Sequence, residues 1–182
     1  MFWRVRRDQN FLIAITHHLP FSHYDFLKIG HFWTDVSLKD IAYELDINSG
    51  LPIPNIFPSS LHPVLLMDDK SFSLLGRFFS RSDFFVYDGK IESEHLNIVA
   101  CKTAISGFDY DRSEYQRYDL APPKDRIKKI NKLRLRPNFA TSYDLFRLSD
   151  EWALEFELIA SDAFKSEYEA GRLTGLRFVA AC

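Results

Sequence analysis

The stretch Tyr143-Asp144-Leu145-Phe146-Arg147-Leu148-Ser149-Asp150-Glu151-Trp152-Ala153-Leu154-Glu155-Phe156-Glu157-Leu158-Ile159-Ala160-Ser161-Asp162, continued through Gly171 to Leu173-Thr174-Gly175-Leu176-Arg177-Phe178, decides the fold class. Trp152, Leu154, Phe156 and Leu158 alternate with Ala153, Glu155 and Glu157, the period of a strand with one buried and one wet face. Residues 143–148 read as its hairpin partner across the polar Ser149-Asp150-Glu151 turn. Ser161 or Asp162 then caps a short helix. Phe164 and Tyr168 share one of its faces, Lys165 and Glu169 can pair, and Gly171 supplies a left-handed stop. A closing strand over residues 176–180 completes a unit that buries large aromatics and carries no catalytic constellation.

Outward from this unit the chain reads mainly as strands. Residues 2–6 and 11–16 are apolar stretches divided by Arg7-Asp8-Gln9-Asn10, which predicts a hairpin. Residues 17–40 mix aromatics, His and Pro without periodicity, and their structure is left open. Ile41, Tyr43, Leu45 and Ile47 alternate as a half-buried strand. Residues 48–63 hold four prolines, which cannot donate to a ladder, so this is a surface crossing, with Ile53, Ile56 and Phe57 favouring an ordered one. Val64-Leu65-Leu66-Met67 is a buried strand. Asp68 or Asp69 caps a helix with Phe72, Leu75 and Phe79 along one stripe, so the order strand, cap, short helix occurs twice.

Phe84-Phe85-Val86-Tyr87 is expected to turn at Asp88-Gly89, with residues 95–105 as the returning or a central strand. Residues 107–115 begin a polar, aromatic-rich loop that reaches Pro122-Pro123. Residues 127–135 fit either a helix, by Ile127, Ile130 and Leu133, or a strand, by the alternation of Leu133-Arg134-Leu135-Arg136. The sum is an α+β protein, a single domain over residues 1–182, mainly antiparallel sheet with a few short helices.

Phe146-Arg147-Leu148, Ile159-Ala160-Ser161-Asp162 and the Leu173–Phe178 ending resemble, in order and spacing, the C-terminal signature of a family of bacterial immunity proteins. These are encoded beside polymorphic toxins, form family eleven of the usual immunity catalogue, and were earlier known as a domain of unknown function. Leu96-Asn97-Ile98-Val99 followed by an acidic residue, Arg112 and Ser113 is similar to the same family, as is the order of the proline-rich entry, Val64–Met67 and the next helix. The likeness spans roughly residues 51–178, and it implies strand for the second half of residues 127–135. It implies a cytoplasmic immunity protein that binds a cognate toxin domain and blocks its active site or substrate access, with no catalysis and no cofactor.

Composition agrees with a chain able to bury a large core: 182 residues, 46% hydrophobic, with 17 Phe, 8 Tyr and 3 Trp. Acidic and basic residues nearly cancel, 25 against 23, which argues against a nucleic-acid or anionic-membrane partner. Only Cys101 and Cys182 are present, too few and too far apart for a cysteine metal site, and a reducing compartment fits them. Neither a secretory leader pattern nor an eighteen-residue apolar run occurs.

Three groups of residues invite chemistry. His17, His18, His23 and His31, with Asp25 and Asp35, have no metal-motif spacing, so no metal is expected. Asp109, Asp111, Arg112 and Glu114 could serve a hydrolase, but an Arg-carboxylate network fixing a corner explains them better. Tyr110, Tyr115 and Tyr118, interleaved with acidic and Arg residues, have the composition of a protein-protein contact. The expected partner surface is Tyr110, Asp111, Glu114, Tyr115 and Tyr118 together with His23, Tyr24 and Trp33, with Asp111 and Glu114 meeting basic groups of the toxin. The alternatives are a small hydrolase using Asp109, Asp111 or the early histidines, or an interaction module unrelated to toxins.

Overall fold

The computed structural model describes residues 1–12, 14–18, 42–45, 50–58, 64–91, 94–118 and 126–181, with backbone only at 14–18, 42–45, 58, 152 and 155. The strands are β1 (Phe2–Arg7), β2 (Ala14–His18), β3 (Ala42–Leu45), β4 (Ile56–Pro58), β5 (Val64–Met67), β6 (Phe84–Ile91), β7 (Glu94–Cys101), β8 (Ala104–Ile105), β9 (Glu114–Arg117), β10 (Ile127–Lys132), β11 (Leu145–Leu148), β12 (Leu158–Ser161) and β13 (Leu176–Ala180). The helices are α1 (Asp69–Leu75), which runs into a 3-10 turn at Gly76–Phe78, and α2 (Asp162–Ala170). Among the described residues one sheet has the order β13-β1-β12-β11-β8, a second β2-β3-β6-β7-β5-β4, and β9 and β10 form a separate two-stranded ribbon. Most neighbouring strands run antiparallel; β11 with β8 and β3 with β6 are parallel. The α+β architecture is thus as the sequence predicts.

The five-stranded sheet is buried on both faces. Val5, Leu145, Leu158, Ala160 and Leu176 point into a core shared with Leu65, Met67, Phe84, Val99 and Cys101 of the six-stranded sheet, and with Leu75, Phe164 and Tyr168 of the two helices. Phe146, Leu148 and Ile159 point the other way, into a second core closed by Ile127 and Ile130 of the ribbon with Phe108, Leu133, Leu135 and Leu154. That is why all four residues of β11 are buried. Both helices are capped: Asp68 accepts from the Ser71 amide at 2.7 Å and Ser161 from the Phe164 amide at 3.2 Å. The Lys165–Glu169 pair forms at 2.8 Å.

The family-like ending Leu173–Phe178 is a structural joint. Gly175 has φ +106 and approaches β4 so closely that a Cβ would lie 1.9 Å from the Ile56 carbonyl oxygen. Thr174 donates its amide and hydroxyl to Asn55 Oδ1 at 3.2 and 3.0 Å, and Asn55 Nδ2 donates to Asp68 Oδ2 at 2.8 Å. Tyr168 receives the Leu176 amide at 2.9 Å, and Phe178 packs edge-on against it. The ending therefore ties the edge of one sheet to the entry strand of the other and to the cap of α1.

Several local expectations give way. The first hairpin does not form, because β1 spends both edges on β12 and β13, leaving none for the second stretch; β2 goes to the other sheet. Trp152–Phe156 is a 3-10 helix rather than a strand, closed by Leu154 N to Glu151 O and Glu157 N to Leu154 O bonds, both 2.9 Å. Leu154 and Leu158 consequently enter different cores, Phe156 is only half-buried, and Glu157, read as wet, is buried. Gly171 is right-handed with φ −71, and the positive φ falls on Arg172; at Gly171 the missing Cβ instead admits Leu74 Cδ1, which would stand 3.1 Å from it.

Asp88-Gly89 does not turn. β6 continues through it to Ile91, paired with Glu94, and Gly89 leaves the space that the Ile98 side chain fills. The stretch read as one strand over 95–105 is two, since the chain leaves the six-stranded sheet at Cys101 and joins the five-stranded one at Ala104. Residues 127–135 are strand in their first half, not their second, where only Leu135 bridges to Phe108. Register shifts in β10 place Ile127 and Ile130 inward three apart, which imitates a helical period. The early residues His23, Tyr24, His31 and Trp33, with Asp25 and Asp35, lie outside the described residues.

Candidate functional site

The β9–β10 ribbon lies over the five-stranded sheet and has two unlike faces. Its inner face carries Tyr115, Ile127 and Ile130; Tyr115 meets Phe108 edge-on with centroids 5.8 Å apart, and Tyr110 meets the same ring at 4.9 Å. Arg117 lies over Tyr115 at 5.2 Å and Tyr110 at 5.9 Å and reaches Glu151 Oε1 at 3.4 Å. Glu151 also accepts the Ile127 amide at 3.1 Å. Burial, with the Glu151 carboxylate adding to it and accepting a hydrogen bond from the phenol, pushes the Tyr110 hydroxyl up to about 12. The outer face carries Glu114, Gln116 and Tyr118 from β9 and its end, and Lys128, Lys129 and Lys132 from β10, all exposed.

The corner before the ribbon is built from backbone bonds to carboxylates. Asp109, buried, accepts the Asp111 and Arg112 amides at 3.1 and 3.0 Å, and Arg112 stands 3.7 Å from its other oxygen. Ser113 Oγ accepts the Arg134 amide at 2.9 Å. Asp150 accepts from Ser106 Oγ, the Gly107 and Phe108 amides and Arg136, at 2.7–3.0 Å. These groups hold the corner's shape, and Asp109 in particular has its Oδ1 occupied twice.

The expected contact residues are therefore not alike. Tyr110 and Tyr115 are half-buried and serve first as packing; Asp111, Glu114 and Tyr118 are exposed, Tyr118 by 46%. The 107–115 segment is not a free loop, since it turns at Asp109 and enters β9 at Glu114. Glu114 is paired with Lys132 at 3.1 Å and opposes it in the ribbon's register, so its carboxylate faces a basic surface of its own chain.

Sequence reasoning missed two features. Residues 126–136, Arg-Ile-Lys-Lys-Ile-Asn-Lys-Leu-Arg-Leu-Arg, contain six basic and no acidic side chains, a local excess hidden by the balanced total. The second is a groove of about 650 Å³ between α1 and the six-stranded sheet, lined by Phe72, Phe79, Phe84, Val86, Asp88 and Asn97. Nearby, His95 Nδ1 lies 3.0 Å from Asp69, which also receives Asn97 Nδ2 at 3.0 Å. Among the described residues no three His, Cys, Asp or Glu side chains converge as a metal site, and no helix is long and apolar enough to cross a membrane.

Fold and surface together define a two-sheet α+β protein with a tyrosine-bearing, basic-faced ribbon mounted on a rigid core. No protein-family model matches the chain, and no curated protein matches it.

Proposed function

We propose that this protein is an immunity protein of a bacterial toxin system, acting in the cytoplasm by binding a cognate toxin domain and covering its active site or substrate approach. The β9–β10 ribbon is the observation that carries the reading. Its inner face is fixed by the core and its outer face presents Tyr118, Gln116 and long basic side chains, giving pre-organised contact area at low entropic cost. The residues that resemble the immunity family support it from a second side: Phe146–Leu148, Ile159–Asp162 and Leu173–Phe178 form sheet, cap and joint, a scaffold on which different contact surfaces can be carried. Against the hydrolase alternative stands Asp109, whose Oδ1 is already engaged by two backbone amides.

The test is co-expression with the toxin-like reading frame beside the gene. Rescue of growth and co-purification of the two proteins in equal amounts are the expected results. Loss of viability despite full expression of this protein overturns the proposal.

A further inference from the structure

Resting on the binding reading above, we infer that the outer face of the β9–β10 ribbon docks on an acidic patch of a folded protein partner, with Lys128 and Lys129 as the steering charges and Tyr118 as the apolar contact. The reasoning starts from which cations are already spent. Arg134 Nη1 donates to the Ala180 carbonyl at 3.0 Å, Arg136 is held by Asp150 at 2.8 Å, and Lys132 pairs with Glu114. Among the described residues no carboxylate lies within ion-pair distance of Arg126, Lys128 or Lys129. All three are exposed, and Lys128 lies 5.9 Å above the Tyr118 ring, so cation and aromatic form one surface.

The shape of the charge selects the partner class. β10 is six residues long, roughly 20 Å at the rise of a strand. The whole chain has formal net charge −2 while residues 126–136 hold six basic side chains and no acid, so the rest of the molecule carries acid in excess. Duplex nucleic acid bears about one charge per 1.7 Å along its whole length and would run off the ribbon onto that acidic remainder. A compact cluster of carboxylates on a protein has no such overhang. Complementary patches of this kind act mainly on the association rate and on the choice of partner.

The experiment measures association of the neighbouring toxin-like domain with the full chain by stopped flow at low and high salt, with a duplex DNA of about 20 base pairs as a second probe. Lys128→Glu with Lys129→Glu should slow association at least about tenfold at low salt and little at high salt, with the thermal midpoint unchanged. Glu114→Lys should speed it. The DNA should neither bind nor compete. Unchanged rates and salt dependence in both variants would place the toxin contact elsewhere and overturn this inference while leaving the immunity reading intact. DNA binding that the double variant abolishes would make the ligand a nucleic acid. A wild-type chain that fails to bind the toxin at all removes both readings.

Discussion

Arg4 and Glu157 form a buried, two-pronged ion pair: Nε donates to Oε2 and Nη2 to Oε1, each at 2.6 Å, while Nη1 donates to the Ile130 carbonyl at 3.1 Å. One guanidinium thus fastens β1 to the end of the 3-10 segment and to the inner strand of the ribbon. Removing Glu157 strands the buried Arg4 charge, whereas Glu157 without Arg4 keeps Arg6 at 3.6 Å. Glu157→Gln is expected to cost about 3–5 kcal/mol, whereas Arg4→Met with Glu157→Leu should recover most of it. Denaturant unfolding of wild type, Glu157→Gln, Arg4→Met, Glu157→Leu and the double variant measures this, and additive losses of the two single variants in the double one would show that the two residues act separately.

Leu154 is fully buried among Ile127, Ile130 and Phe146, while Phe156 is half-buried. Leu154→Ala should therefore cost about 2–5 kcal/mol, and Phe156→Ala less despite its larger ring. The reverse order in thermal or denaturant unfolding would restore the strand reading of this segment.

Cys101 sits in the shared core with Sγ 3.5 Å from the Thr103 carbonyl oxygen, and burial pushes its thiol up to about 12. A raised value means the folded state holds the proton more tightly, so this contribution is intact below the unfolded value of about 8.5 and is lost as pH rises towards 12. In a Cys182→Ser chain, Cys101 should resist alkylation at pH 8 until denaturant is added. Rapid labelling of the native chain at the rate of a free thiol would contradict its placement.

Asp83 lies at the entry to β6, where the Ser80 hydroxyl, joined by those of Ser82 and Thr103 and by the Lys102 charge, holds its carboxyl below the usual aspartate range. A depressed value contributes stability above the unfolded value, about 3.9, and loses it as pH falls through the folded one. Asp83→Asn should therefore be less stable than wild type at pH 7, with the gap closing below about pH 4. A gap of equal size at pH 7 and pH 3 would show that the charge is irrelevant.

Much of this was open to a reader of the sequence because it depends on local chemistry. Asp68 and Ser161 are caps wherever a helix follows them, Val64–Met67 and Leu145–Leu148 are too apolar to lie outside, and Phe164 and Tyr168 share a face by helical geometry alone. What the sequence could not decide was which edge each strand would spend and which core each apolar residue would enter, since these depend on partners far along the chain. β1 reads as half a hairpin until β12 and β13 take both its edges. Glu157 alternates as a solvent residue until Arg4, 153 positions away, makes its burial tolerable. The basic face of the ribbon was present in residues 126–136 all along, but only the tertiary structure shows which of those cations are spent on Glu114, Asp150 and a backbone carbonyl, and which are exposed with no ion-pair partner among the described residues.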